Sequence, residues 1–578
     1  MTLISSLSTI KITLNLLKKI DRKKSITFLY VITVFSAFFE VLTIGSILPL
    51  IDILLDTDKY TNNPTFFLFI ELFNLDKNNL GQELIILFSI LVVLSYAAKI
   101  LLIFLSSYVS QKLSLDINNK IFYYTMNKDY KFHVKTNSSQ FMGNINKADI
   151  AKSAIFSFFQ ITVSGIIASS IVFFLFILDP IITTALFFLF SGIYFIIFRV
   201  LKSTVNKISF ENSTLINFRY QTLMECSENI KEIFLRKLNV FFTNKYQKIY
   251  HKITNNLIKT EIFSAVPGQI IVMSASLFII FLVYYFSNQP GGLISNISFL
   301  GALVLSAQRL LPYFQNIYAG LLGIKEAKYS LRDVYSIIED ENKDEKSNNM
   351  NFVKSDILKI NKNIILNNVS FNHEGSENKI FENLNLEFKI NNIYCIKGQS
   401  GVGKTTLFDL LMGLFSLKEG EITIDGKIVN KDNIDAWQKN ILHVPQTSSL
   451  IDSTILENIG YGHKLEDIDM EKAKLAAKKG EILEFIQETK NGFLTTIGEK
   501  GVRISGGQRQ RLSLAKVFYN NAQLILLDEA TNALDSINES KVFKNLREIS
   551  KNKIILIISH GNLIEKFCDS TIEIKNLK

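Results

Sequence analysis

Apolar residues in the first 330 positions gather into unbroken runs rather than the alternations of a half-buried strand or surface helix. Six runs, at about 26–50, 83–108, 154–178, 181–200, 262–286 and 293–318, are long enough to cross about 30 Å of hydrocarbon, which takes roughly 20 helical residues. Only Asp179-Pro180 parts the third run from the fourth, and Ser287 to Gly292 part the fifth from the sixth, so tight turns are predicted at both places. One such run fits a buried helix of a soluble core. Six predict an all-α transmembrane domain over residues 1–338. Ahead of the first run, residues 5–20 carry an apolar stripe beside lysines and form either a helix lying on the inner leaflet or disordered chain. No cleavable signal peptide is expected, because no small-residue cleavage site follows the first run.

The pattern changes at residues 339–356, a polar stretch read as a linker. Beyond it, over 357–578, short β-like segments at 364–371, 393–397, 441–444, 524–527 and 554–558 alternate with helical pattern. That alternation predicts an α/β domain on a parallel sheet.

Charge sharpens this division. The 578 residues are 48% hydrophobic with a net charge of +10, and a cationic balance can mean nucleic acid or membrane topology. Residues 1–338 hold 31 Lys and Arg against 19 Asp and Glu, whereas the remainder holds 32 against 34. Within the first part, six cations from Lys11 to Lys24 precede the first run, seven lie between the second and third, and eleven from Arg199 to Lys259 lie between the fourth and fifth. The first outer loop has Lys59 and Lys77 against five acids, and the short turns have no cation. Lys and Arg accumulate on the cytoplasmic side, so both termini are predicted there and no nucleic-acid partner is expected. The two long inner connections read as helical, which predicts membrane helices continuing into the cytosol. Cys226, Cys395 and Cys568 lie far apart with no CxxC, which supports neither a disulfide framework nor a zinc site and predicts buried, reduced thiols.

Candidate chemistry sits in the second part. Gly398-Gln399-Ser400-Gly401-Val402-Gly403-Lys404-Thr405 follows the segment 393–397 and leads into a helix from Thr406, the setting a P-loop requires. Its glycines let backbone amides, with Thr406 beside them, wrap the phosphates of ATP; Lys404 reaches the β and γ phosphates, and Thr405 places its hydroxyl on Mg2+. The run Leu524 to Leu527 delivers Asp528 and Glu529 where ligands meet an open α/β sheet. Asp528 suits Mg2+ through its water shell, and Glu529 suits a general base acting on water. Between these motifs, just before a helix, stands Ile504-Ser505-Gly506-Gly507-Gln508.

This order of motifs resembles the ATP-binding cassette (ABC) transporters, whose LSGGQ signature it matches with Ile504 at a packing position. The resemblance covers the whole chain and implies a type IV exporter fold. It implies that Ser505, Gly506, Gly507 and Gln508 face ATP held by another subunit's P-loop. It also implies Gln446 as the residue touching Mg2+ or water, Asp535 in the D-loop, and His560 as the sensor of the γ-phosphate. Residues 497–501 resemble the segment that meets the coupling helices. Where the family stacks an aromatic on adenine the chain has His373, with Phe371 as the alternative. Gly561 stands where an arginine is common.

One P-loop, one signature and six helices imply, by this resemblance, a dimer: a homodimer, since no motif is degenerate, or a heterodimer. Fusion of the membrane part ahead of the ATPase implies an exporter of a bacterial inner (cytoplasmic) membrane, moving its substrate outward. The first cysteine is Cys226, so no cysteine-peptidase domain precedes the helices, which weakens a leader-processing peptide exporter. Phe38 to Val41, Ser264 to Pro267 and Gln308 to Pro312 resemble PglK-type flippases of lipid-linked oligosaccharides, although Gly268 stands where a basic residue is expected. Residues 64–73 form either a short outer helix meeting a lipid tail or an ordinary loop. Lys99 and Arg309 each cost about 2.5 to 3.5 kcal/mol if central in the bilayer and unpaired. Either they face a cavity, four cations per dimer suiting a pyrophosphate headgroup, or Lys99 snorkels and Arg309 pairs with Glu40. The alternatives in function are export of a peptide, lipid or drug, and an ATPase that gates or signals without transport.

Overall fold

The computed structural model describes residues 9–18, 22–55, 80–288, 297–340, 357–373, 378–448, 450–559 and 564–574. The outer segment 64–73 and linker residues 341–356 lie outside them. The chain divides into two compact units, the main division falling between residues 349 and 350.

The first unit is built on six helices, Lys23–Leu55, Leu80–Met126, Ser138–Leu178, Pro180–Glu228, Asn239–Ser287 and Ile297–Glu326, all long and apolar enough to cross a membrane. The fourth and fifth have 49 residues each and span about 74 Å at 1.5 Å per residue, far more than the hydrocarbon layer. Such length is what helical inner connections require. The third and fourth helices meet at Asp179, whose Oδ1 accepts from the amides of Ile181 at 2.9 Å and Ile182 at 3.0 Å, while Pro180 fills the first helical position, which needs no donor. Small residues bring the third and sixth helices together. A Cβ on Gly320 would stand 2.8 Å from the Ser157 carbonyl, and one on Gly323 would stand 2.5 Å from the Ser157 hydroxyl. Only 17% of the most apolar window of the second helix is buried, leaving Ile100, Ile103 and Phe104 exposed. Apolar surface this extensive belongs against lipid or a partner.

Thr9–Lys18 is a helix, but its stripe faces protein. Ile12 and Leu16 are buried in one cluster with Leu331, Val334 and Ile338. This corrects the reading of a helix lying on lipid, because residues that the stripe needs for the leaflet are already covered; Ile10 and Leu14 stay exposed on another face.

The second unit contains a five-stranded parallel sheet, order β6-β7-β8-β3-β9, made of β3 (Ile393–Lys397), β6 (Ile441–Val444), β7 (Leu524–Asp528), β8 (Ile554–Ile558) and β9 (Ser570–Glu573). Every residue of β7 and β8 is buried, as strands covered on both faces demand. The segment 364–371 belongs elsewhere. It forms β1 (Asn363–Phe371), paired antiparallel with β2 (Phe381–Lys389) and β4 (Glu419–Ile424), and β5 (Lys427–Ile428) completes a second sheet. Alternating burial at the start of β1 reflects its single covered face. All three cysteines are free, Cys395 buried and Cys226 and Cys568 half-buried.

Candidate functional site: a nucleotide pocket at the strand ends

β3 and β7, separated in the sheet by β8, deliver the two chemical motifs at their C-terminal ends. Gly398 to Gly403 loops from β3 into the helix Lys404–Leu411, two residues earlier than expected. The turn depends on Gly403 at φ +105°, where a Cβ would also stand 2.5 Å from Ile380. Lys404 is buried and donates to the carbonyls of Gly398 at 2.8 Å and Gln399 at 3.0 Å. The Thr405 hydroxyl donates to Asp528 Oδ2 at 3.0 Å, so the predicted Mg2+ ligands of two distant motifs are neighbours.

Glu529 adopts φ +50°, a left-handed conformation that costs a non-glycine residue about 1 to 3 kcal/mol. Its amide donates to the Ile558 carbonyl at 2.9 Å, and its Oε2 accepts from Gln446 Nε2 at 2.7 Å and Asn532 Nδ2 at 2.8 Å. The surroundings thus hold both the strained backbone and the carboxylate. Asn532 has no motif signal of its own and was missed by sequence reasoning.

Asp409 and His443 were missed for the same reason. Burial and the nearby charge of Asp528 push the Asp409 carboxyl up to about 6. Burial raises Asp528 too, against the pull of the Thr405 hydroxyl and of His443, while burial holds the His443 imidazole below its usual range. Two partly buried carboxyls above their usual range, beside a hydroxyl, form an all-oxygen donor set with excess negative charge. That suits a hard cation such as Mg2+, for which Thr405 and Asp528 are the candidate ligands, while Gln446 is held at Glu529.

On the sheet's flank, Phe371 is only 5% exposed within the core of the second unit, its ring 5.8 Å from Phe415. This corrects its place as a stacking candidate: its face is already used. His373 is exposed and meets Phe415 edge-on at 5.5 Å, so of the two only His373 has a ring open to solvent.

Ser505 caps the helix Gly506–Tyr519 in a reciprocal capping box with Gln508. Ser505 and Gly506 are exposed, and Ile504 is buried in a core cluster as its packing position requires. Among the described residues no hydrogen bond joins this signature to the P-loop of the same chain. Asp535 caps the helix Ser536–Ile549 by accepting from Asn538. His560 lies outside the described residues, directly after Ser559 in sequence.

Lys99, Arg309 and Glu40 do meet, though not as two free cations. Both cations pair with the fully buried Glu40. Tyr313 donates to Glu40 Oε1 at 3.0 Å, and Arg309 Nη1 donates to Ser95 Oγ at 3.1 Å. Arg309 is buried and Lys99 retains 24% exposure. The prediction of two cavity-facing cations is therefore corrected for Arg309, whose charge is met by carboxylate. Of the alternative, the Arg309–Glu40 pair forms, but Lys99 pairs with Glu40 as well instead of snorkelling.

Residues 381–532 match the family described as ABC transporter. The chain is 40% identical over 197 residues, 34% of each chain, to the ATP-dependent lipid A-core flippase of Desulfotalea psychrophila. It is 28% identical over 329 residues, 56% of this chain and 55% of the relative, to the protein of that name in Escherichia coli K12. A chloroplastic ABC transporter B family member 29 of Arabidopsis thaliana is 35% identical over 33% of this chain and 30% of its own. These matches span between 30% and 55% of the curated relatives' lengths. In three dimensions the fold is similar to a bacterial Atm1-family ABC exporter solved with ATP bound, at TM-score 0.78 and 17% identity over 96% of this chain and 94% of that one.

Proposed function

The chain belongs to the ABC transporters, with a six-helix membrane domain fused ahead of its ATPase domain, and from that premise we propose that it is an ATP-driven flippase. In this reading a dimer, most simply a homodimer, in a bacterial inner membrane with both termini cytoplasmic moves a lipid-linked oligosaccharide from the inner to the outer leaflet. The observation that carries the reading is the convergence of Lys404, Thr405, Asp528, Glu529 and Gln446 at one set of strand ends, in a chain with six membrane-length helices. Residues 1–338 are the membrane domain, 339–356 the linker and 357–578 the nucleotide-binding domain.

In this mechanism the P-loop amides and Lys404 hold the ATP phosphates. Thr405 and Asp528 would hold Mg2+, which would supply positive charge to the phosphate oxygens. Glu529, fixed by Gln446 and Asn532, orients a water and takes its proton. His373 offers its ring to adenine, and His560 takes the role of γ-phosphate sensor that its place in the motif order implies. The exposed Ser505–Gln508 helix start meets the nucleotide of a second copy, bringing amides and a helix dipole to phosphate.

The oligosaccharide assignment is supported by the PglK-like segments and by relatives named ATP-dependent lipid A-core flippase. The Glu40 cluster leaves each chain one excess cation rather than two for an anionic headgroup. Proteoliposomes loaded with a fluorescent polyprenyl-pyrophosphate oligosaccharide test both levels. Glu529→Gln should retain ATP, lower turnover by about 10² or more and stop lipid movement. Continued movement would overturn ATP-driven transport. Wild-type movement of a lipid A core without movement of the polyprenyl lipid would overturn only the substrate.

A further inference from the structure

We infer that the cytoplasmic end of the membrane unit holds a binding station for a phosphate-bearing lipid headgroup, formed by Lys202, Lys325, Lys328 and Arg332. It rests on the six helices crossing a membrane, not on the substrate or on ATP turnover, so its failure leaves those standing.

Depth comes from helix length. Lys202 follows the outer end of the fourth helix at Pro180 by about 22 residues, and Lys325 follows Ile297 by about 28. At 1.5 Å per residue these are about 33 and 42 Å along the axes, which puts Lys202 just past a hydrocarbon core of about 30 Å and Lys325 about 12 Å past it, toward the cytoplasmic side of the inner headgroups. The sixth helix continues almost unbroken into the helix Lys328–Asp340, with the Ala327 amide on Gly323 O at 3.0 Å and the Leu331 amide on Ala327 O at 2.7 Å. Steps of three and four residues therefore set Lys325, Lys328 and Arg332 on one face. Lys202, from the fourth helix, stands within Coulombic reach of both lysines.

The Lys325 ammonium is buried and, among the described residues, has no hydrogen-bond partner; it sits 3.7 Å from the centroid of the Phe198 ring. Lys328 and Arg332 lie over Tyr329 at 5.2 and 5.7 Å. Among the described residues Lys202, Lys325 and Lys328 make no ion pair. The acids nearest in sequence are turned to other partners. Asp333 receives Lys147 at 2.6 Å and Ser213 at 3.2 Å, and Glu326 lies beside Thr260 and Glu261.

Topology explains cations in this leaflet, since Lys and Arg favour the cytoplasmic side. It does not explain their gathering around a buried ammonium with no acceptor, an arrangement that desolvation and mutual repulsion oppose. A phosphate supplies what is missing: negative charge and several acceptor oxygens in one compact group. Two sources fit, a resident anionic phospholipid and the headgroup of the transported lipid.

The test uses the full chain in phosphatidylcholine nanodiscs, with phosphatidylglycerol or a polyprenyl pyrophosphate as probe and retained lipid counted by native mass spectrometry. Lys325→Gln with Lys328→Gln should weaken retention by about tenfold, in line with removal of cations at an anionic surface. Lys325→Arg with Lys328→Arg should restore it. Loss of phosphatidylglycerol with unchanged KM for lipid transport identifies a resident lipid. A raised KM for the pyrophosphate lipid at unchanged basal ATPase identifies an entry point for cargo. If the double variant does not fold, Lys202→Gln, at the exposed rim, takes its place. Equal retention of both probes by wild type and variants, or of neither by wild type, overturns the proposal.

Discussion

Glu40 sets the electrostatics of the membrane unit, because one buried carboxylate answers both Lys99 and Arg309. Removing a single partner of a buried ion pair costs about 3 to 5 kcal/mol, since the remaining charge stays desolvated. Glu40→Gln should therefore lower thermal stability in detergent sharply. Adding Arg309→Gln should recover most of that loss, as the remaining Lys99 keeps partial access to water. Losses that simply add would mean that Arg309 and Glu40 are not coupled. The sequence supplied the cost of these charges and the Arg309–Glu40 pairing as one option. It could not supply Ser95 and Tyr313, because their approach depends on how separate helices rotate against each other. Phe371 and His373 show the same limit: two residues apart in chain, they differ in use because a strand's burial is decided by the sheet that covers it.

Two helices in the ATPase unit begin with the same device. Thr454 closes a capping box with Glu457 on Ile455–Ile459, and Ser505 closes one with Gln508 on Gly506–Tyr519. Loss of such a cap costs about 1 kcal/mol whatever the helix does. Thr454→Ala and Ser505→Ala should thus lower the unfolding midpoint by similar amounts. Only Ser505→Ala should also cut ATPase activity, by tenfold or more, if its helix start meets nucleotide in a second copy. Equal activity in the two variants would reduce the signature to a structural cap. Local signals of this kind were legible: the P-loop turn, the helix starts and the buried parallel strands stand close to where patterning put them. Nonlocal pairing was not. β1 alternates like any half-buried strand, and only its partners β2 and β4 make it part of an antiparallel sheet. The stripe of Thr9–Lys18 equally suited lipid or protein, and contact with Leu331 to Ile338 decides for protein.

Across the whole molecule, the +10 charge divides into a cationic membrane part and a nearly balanced ATPase part. Under the proposed orientation the excess follows topology, apart from the cluster around Lys325, where position alone does not account for the gathering. The same division bears on assembly. The ATPase part has one P-loop and one signature, with no hydrogen bond between them among the described residues, so under the proposed mechanism each working site takes one motif from each copy. Lys404→Ala disables a P-loop, and Ser505→Arg blocks a signature while leaving the P-loop of its own chain intact. Either variant alone yields dimers with two dead sites. When the two are co-reconstituted at equal amounts, random pairing makes about half of the dimers mixed. Each mixed dimer joins the intact P-loop of the Ser505→Arg chain to the intact signature of the Lys404→Ala chain. ATPase activity of the mixture should then rise from near zero to about a quarter of wild type if sites act independently, and to a smaller but measurable fraction if they are coupled. A mixture as inactive as its components, with subunit exchange verified by two-colour labelling, would exclude shared sites. It would require the signature of each chain to serve its own P-loop.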